Sequence, residues 1–373
     1  MRPKPCEQKR RVIIADEAPP GNRDGVYINE KSDADGRLKI VRDSEARKTP
    51  TTAATSGVGR RQLFQAASAL VAGVAAGGLS EAQAQQNSAP PATLFPDNFK
   101  SFQVETSGAT INGVIGGQGP PVLLMHGYPL SHVSWSLVAP KLAKDYTVVA
   151  TDLRGYGDSS KPADGINHAG YSKRAMAQDQ VEVMQHFGFD KFAAVGHDRG
   201  GRVAHRMALD HAGKITRAAV LDIIPTSKFY HNITQESATA YYHWFFLIQR
   251  APMPEKCIES NLELFVGRGD SPMAKEYLRT FRNPATIHAG CEDYRAGATI
   301  DMEHDVADKG KKIECPLLVL WAQQGPMGRL FDVLATWKER ASDVRGKVLP
   351  GGHNLPDGSP DEVLAELQVF LKT

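Results

Sequence analysis

Phe192-Ala193-Ala194-Val195-Gly196-His197-Asp198-Arg199-Gly200-Gly201 decides the reading of this chain. Four uninterrupted apolar residues suit a strand buried on both faces. Gly196 and Gly200 bracket Asp198 in a G-x-nucleophile-x-G turn, and a helical pattern continues over 201–210. Glycine is required there because strand and helix approach closely. The turn lifts residue 198 above the sheet beside a helix start, whose amides favour a carboxylate. A loop aspartate that merely caps a helix is the plain alternative, but a preceding strand and two flanking glycines fit the turn better. No G-x-S-x-G occurs in the chain, which weighs against esterase and lipase chemistry.

Outward from this turn, apolar runs recur at Pro121-Val122-Leu123-Leu124-Met125, Tyr146-Thr147-Val148-Val149-Ala150, Ala218-Ala219-Val220-Leu221 and Leu317-Leu318-Val319-Leu320. Helical patterns such as 172–187 lie between them. Strand–helix alternation predicts an α/β fold with a mostly parallel sheet covered by helices on both faces. The alternation breaks over 226–305, an aromatic, helical stretch read as a cap inserted into a core of 93–225 and 306–373. An amphipathic helix over 361–371 closes the chain.

Composition narrows the function. Of 373 residues, 41% are hydrophobic and 23% charged, enough for a full core. Residues 1–61 hold 14 Lys+Arg against 9 Asp+Glu, whereas the remainder holds 30 against 33. The body is therefore mildly acidic, and nucleic-acid binding gains no electrostatic support. Four scattered cysteines make neither a disulfide scaffold nor a zinc knuckle, and no pairing is predictable. The acidic run Asp301-Met302-Glu303-His304-Asp305 lacks a recognised ligand order, so no metal and no cofactor are expected.

The remaining site residues follow from chain order. His126-Gly127-Tyr128-Pro129 follows the run 121–125, and the backbone N–H of Tyr128 is expected to supply one oxyanion donor, that of Arg199 the other. His353, in the glycine loop after Lys347-Val348-Leu349, is the one histidine placed to serve as base. Its acid partner is expected to be Asp222, directly after Leu221, with Asp332 as runner-up. The usual alternative position after Leu320 reads Trp321-Ala322-Gln323-Gln324 and has no carboxylate. An ionised aspartate suits attack on saturated carbon, forming an ester that the histidine-activated water cleaves. Arg199 and Arg202 lie on one helix face, where guanidinium groups hold a substrate carboxylate.

Gly196-His197-Asp198-Arg199-Gly200-Gly201-Arg202-Val203, with Asp222, His243-Trp244 and Cys291-Glu292-Asp293-Tyr294-Arg295-Ala296, resembles the fluoroacetate (haloacetate) dehalogenases of the α/β-hydrolase superfamily. The resemblance spans residue 96 to the C-terminus. It implies an α/β-hydrolase fold with Asp198 as nucleophile, His353 as base, Asp222 as its acid partner, and Arg199 and Arg202 on the substrate carboxylate. His243, Trp244 and Tyr294 would donate hydrogen bonds to the departing halide. The implied partner is a small haloacid, and the resemblance allows a homodimer. Two other readings stand beside it. An epoxide hydrolase would use the same aspartate with cap tyrosines drawn from Tyr241, Tyr242 and Tyr294. A weakly catalytic binding protein could also use this fold.

The N-terminal region reads as addressing. Residues 1–57 are polar, charged and aperiodic, and are read as disordered. Residues 58–84 hold Arg60-Arg61, an uncharged Ala/Gly-rich run and Ala82-Gln83-Ala84. They resemble a twin-arginine export signal, with a polar linker over 85–92. Export to the periplasm, with no membrane span in the mature form, is the expectation. A cytoplasmic location follows if the signal is unused.

Overall fold

The computed structural model describes residues 29–32, 38–41 and 94–372. Two units are distinguished, divided after Ser80. In the first, β1 (Asn29–Ser32) pairs antiparallel with β2 (Leu38–Val41), inside the stretch read as disordered. The rest of that stretch, the export signal and the linker lie outside the described residues.

The second unit is built on an eight-stranded sheet. Its strands are β3 (Phe99–Glu105), β4 (Thr110–Gly116), β5 (Pro121–Met125), β6 (Thr147–Thr151), β7 (Phe192–His197), β8 (Ile215–Leu221), β9 (Leu317–Ala322) and β10 (Val344–Leu349). Their spatial order is β10-β9-β8-β7-β5-β6-β4-β3. The β5–β10 block is parallel throughout, and β4 and β3 extend it as an antiparallel edge.

Alternation of side chains puts each parallel strand into two cores. Leu123, Met125, Ala194, Val220 and Val319 face one side, with helices Lys173–His186 and Arg199–Asp210. Val122, Leu124, Val195, Leu221 and Leu320 face the other, with helix Pro360–Lys372. Both faces are dry, which is why these strands read as unbroken apolar runs. Helix Lys173–His186 begins where Ser172 accepts a hydrogen bond from the Ala175 amide, a cap worth about 1 kcal/mol.

Between β8 and β9 the chain leaves the sheet and forms eight helices, from Thr226–His231 to Ile300–Ala307. The cap thus runs two residues beyond the expected 226–305. Proline opens two of its longer helices, Pro272–Phe281 and Pro284–Ala298, behind the side-chain caps Ser271 and Asn283. Among the described residues no helix is long and apolar enough to cross a membrane, and Cys257, Cys291 and Cys315 are free.

Candidate active site

Parallel strands end on one edge of the sheet, and every floor residue of the site sits on that edge. Asp198 joins β7 to helix Arg199–Asp210 with φ 45° and ψ −114°. A side chain at residue 200 would collide with the Met125 carbonyl, 2.4 Å from an added Cβ, so only glycine lets the helix start this close to β5. The conformation aims the Asp198 carboxylate at the β5 loop. There the Tyr128 amide donates to Asp198 Oδ1 at 3.2 Å.

Asp222 leaves β8 with φ 53° and is fully buried. Its Oδ1 accepts from the Ala322 amide at 2.9 Å, and its Oδ2 lies 2.5 Å from His353 Nδ1. The opposite ring nitrogen, Nε2, lies 3.6 Å from Asp198 Oδ2. Asp222, His353 and Asp198 therefore form one line across the end of the sheet. Asp332 is not part of it: exposed, it caps helix Val333–Lys338 by accepting from the Ala335 amide.

Two further histidines brace this line from beneath. His197 Nε2 lies 2.8 Å from the His353 carbonyl, which only accepts, so Nε2 carries the proton. His126 Nε2 accepts from the Leu153 amide, so its Nδ1 donates to the Gly127 carbonyl in the Tyr128 loop. Burial lowers both imidazoles, His197 to about 4, and keeps them neutral. For Asp198, burial pushes upward, but the His353 hydrogen bond and charge, then Arg199, hold the carboxyl well below the usual range. For His353, burial pulls downward, but Asp198 and Asp222 together raise the imidazole above its ordinary value. The floor is an aspartate–imidazolium–aspartate chain.

The two arginines, read as equals in the sequence, have different surroundings. Arg199 is buried against the cap: its Nε and Nη2 bind both Asp293 carboxylate oxygens at 2.9 and 2.7 Å, and Nη2 also reaches the Asp293 carbonyl. Tyr156 and Lys173 donate to the same carboxylate. Arg202 is 4% exposed and, among the described residues, meets no carboxylate at hydrogen-bond distance. Its Nη1 donates to the Ile224 carbonyl and Thr226 Oγ1, its guanidinium stacks 4.4 Å from the Trp244 ring, and its Nε is unpartnered. Burial, then the Arg199 charge, lower it to about 10, so it stays charged at neutral pH.

A cavity of about 660 Å³ opens above this floor, lined by Asp198, Arg202, Asp222 and His353 below and His243, Trp244 and Tyr294 above. Arg199 reaches the wall through Tyr294, whose ring its guanidinium stacks on at 4.2 Å. Neither His243 nor the Trp244 indole nor the Tyr294 hydroxyl shows a hydrogen bond within the described protein. Burial lowers His243 to about 4, leaving a neutral ring with one N–H to give. Tyr241 also lines the cavity, and Tyr242 does so from an exposed position.

The structure adds residues that sequence reasoning left without a role. Asp293, quoted only as part of a motif, anchors Arg199 from the cap helix. Asp357 lines the cavity just after His353 and accepts from the Tyr277 hydroxyl at 2.9 Å. Burial pushes its carboxyl up to about 7. A helix-turn aspartate carries no sequence signal that would single it out.

Sheet order, strand–helix turn and inserted cap define the class, an α/β hydrolase. A family model described as the alpha/beta hydrolase fold matches residues 120–358, and the chain belongs to that family. Within it, the chain is a member of the fluoroacetate (haloacetate) dehalogenases. It is 46% identical to the fluoroacetate dehalogenase of Burkholderia sp over 74% of this chain and 94% of that protein. A soluble epoxide hydrolase of Corynebacterium sp. (strain C12) is 33% identical, over 71% and 96%. Among solved structures, a provisionally assigned α/β hydrolase from Nostoc sp PCC 7120 superposes with TM-score 0.72 at 55% identity, over 74% of this chain and 98% of that one.

Proposed function

We propose that this enzyme hydrolyses a haloacetate, fluoroacetate or chloroacetate, to glycolate and halide through an ester on Asp198. One observation carries the reading. Arg202 is a buried cation on the cavity wall with no carboxylate of its own, beside an ionised aspartate. A small substrate that brings its own carboxylate completes that arrangement; a neutral one leaves the guanidinium unpaired.

Arg202 holds the substrate carboxylate, and Arg199, tied to Asp293 behind Tyr294, adds its positive charge. Asp198 Oδ1 rests on the Tyr128 amide, so Oδ2 attacks the halogen-bearing carbon. The carbon–halogen bond breaks with its electron pair on the halide, which leaves among His243, Trp244 and Tyr294. Fluoride is a poor leaving group, and three donors concentrated in one pocket stabilise it as charge develops.

The ester has lost the Asp198 charge, and with it one of the two carboxylates that raise His353. The imidazole can now release its proton and accept one from water. Water oxygen adds to the Asp198 carbonyl carbon, and the charge formed on Oδ1 is held by the Tyr128 and Arg199 amides. Collapse expels the glycolate oxygen, which takes the proton from His353. Asp198 keeps the water oxygen, and its carboxyl passes its proton back to His353, which restores the imidazolium; the net proton is the one His353 released after the ester formed. Asp222 holds His353 in position and balances the imidazolium.

The epoxide-hydrolase reading draws support from Tyr241 and Tyr294 on the cavity wall and from the Corynebacterium relative. A halide-release assay with fluoro-, chloro- and bromoacetate, run beside an epoxide panel, separates the two. Halide release with inert epoxides is expected. Epoxide opening without halide release overturns the assignment.

A further inference from the structure

Away from the cavity, a second cluster of metal-ligating side chains joins the core to the cap. Asp164 and His168 come from the loop between β6 and helix Lys173–His186. His288 and Glu292 come from cap helix Pro284–Ala298, where a spacing of four puts them on one face. Ligand atoms of Asp164, His288 and Glu292 all lie within 4.8 Å of one another.

We propose that Asp164, His288 and Glu292 bind a divalent transition-metal cation of the zinc or cobalt type, which ties cap helix Pro284–Ala298 to the core loop. The His288 Nε2 to Asp164 Oδ1 distance is 3.2 Å. Two ligands on a tetrahedral ion with bonds of 2.0–2.1 Å stand about 3.3 Å apart, so this edge needs almost no adjustment. Two of the three ligands are also held from behind. His288 Nδ1 contacts Glu255 Oε1 at 3.0 Å, the carboxylate–histidine arrangement that leaves the other ring nitrogen free for a metal. Glu292 Oε2 is held by His168 Nδ1 at 2.5 Å.

Two observations favour a cation site over a finished ion-pair network. Glu255 is 5% exposed, yet its Oε2 has no partner. Among the described residues, the one permanent positive charge paired with Asp164, Glu255 and Glu292 is that of Arg295, and a divalent ion neutralises the two carboxylate charges left over. The backbone is shaped for the contact as well. Asn167 and His168 are consecutive non-glycine residues at φ 54° and 61°, a conformation that needs support from its surroundings. No sequence motif announces the set, because loop and cap helix meet only in the fold. The hydrolytic chemistry does not require this ion.

The test uses the full chain after treatment with a chelator. Co²⁺ is titrated by its visible d–d absorption, and Zn²⁺ by calorimetry and thermal unfolding. One equivalent is expected to bind saturably and to raise Tm. His288→Ala should abolish the cobalt spectrum, Asp164→Asn, in the half-exposed loop, should weaken binding at least about tenfold, and Glu255→Gln about 10–100-fold. His211→Ala, a histidine outside the cluster, should change nothing. Absence of saturable binding, or binding that survives both His288→Ala and Asp164→Asn, overturns the proposal.

Discussion

The floor and the roof of the cavity are built on opposite principles. On the floor, Asp222 and Asp198 are tied to backbone amides and to His353, so each carboxylate has its partners before any substrate arrives. On the roof, His243, Trp244 and Tyr294 offer N–H and O–H groups to the cavity, and Arg202 between the two layers pairs with no carboxylate among the described residues. A satisfied floor keeps a nucleophile ionised in a buried place, whereas an unsatisfied roof saves its hydrogen bonds for charge that appears during reaction.

Breaking the link between the layers should have the largest effect. Arg202→Met keeps the bulk against Trp244 but removes the cation. It should lower kcat/KM on haloacetates on the order of 10²–10³-fold while leaving haloacetamide or another neutral substrate little changed. Equal losses on both would mean that Arg202 supports the fold and not the carboxylate.

Roof substitutions should act through the leaving group. Trp244→Phe retains the packing against Arg202 and removes one donor. A drop of about 10–100-fold is expected for fluoroacetate, and a smaller one for bromoacetate, whose halide needs less help. Steady-state kinetics on the two substrates give the ratio directly; a constant ratio contradicts halide binding by the indole.

The floor makes a prediction about pH. In the free enzyme both carboxylates favour the protonated His353, so its imidazole titrates above its ordinary value. In the ester one of those charges is gone. Because His353 must be neutral to take a proton from water, ester hydrolysis falls as pH drops through the lower value. That acid limb, from single-turnover rates, should lie about 1–3 units below the His353 titration of free enzyme followed by NMR. Coincidence of the two would show that Asp198 keeps its charge throughout.

The contrast also explains what could be read in advance. Each floor residue follows a strand: Asp198 after β7, Asp222 after β8, His353 in the loop after β10. Unbroken apolar runs mark those strands, so chain order alone brings the three together. Antiparallel β3 and β4 gave no comparable signal, since their buried positions are interleaved with Lys100, Ser101, Gln103 and Asn112. His243 and Trp244 sit in the short helix Tyr242–Leu247 and Tyr294 in the cap helix Pro284–Ala298; no local pattern fixes how the two pack, and resemblance to a family was needed to single these residues out. The division between the arginines was invisible for the same reason. Arg199 and Asp293 are 94 residues apart, and only the docking of the cap helix joins them.

His353→Ala tests the covalent route most directly. With the base removed, attack by Asp198 proceeds but water is not activated, so chloroacetate should release about one equivalent of halide per enzyme. Mass spectrometry should then find one carboxymethyl group on the peptide that carries Asp198. Sustained halide release by this variant with an unmodified Asp198 would show that water attacks the substrate carbon itself.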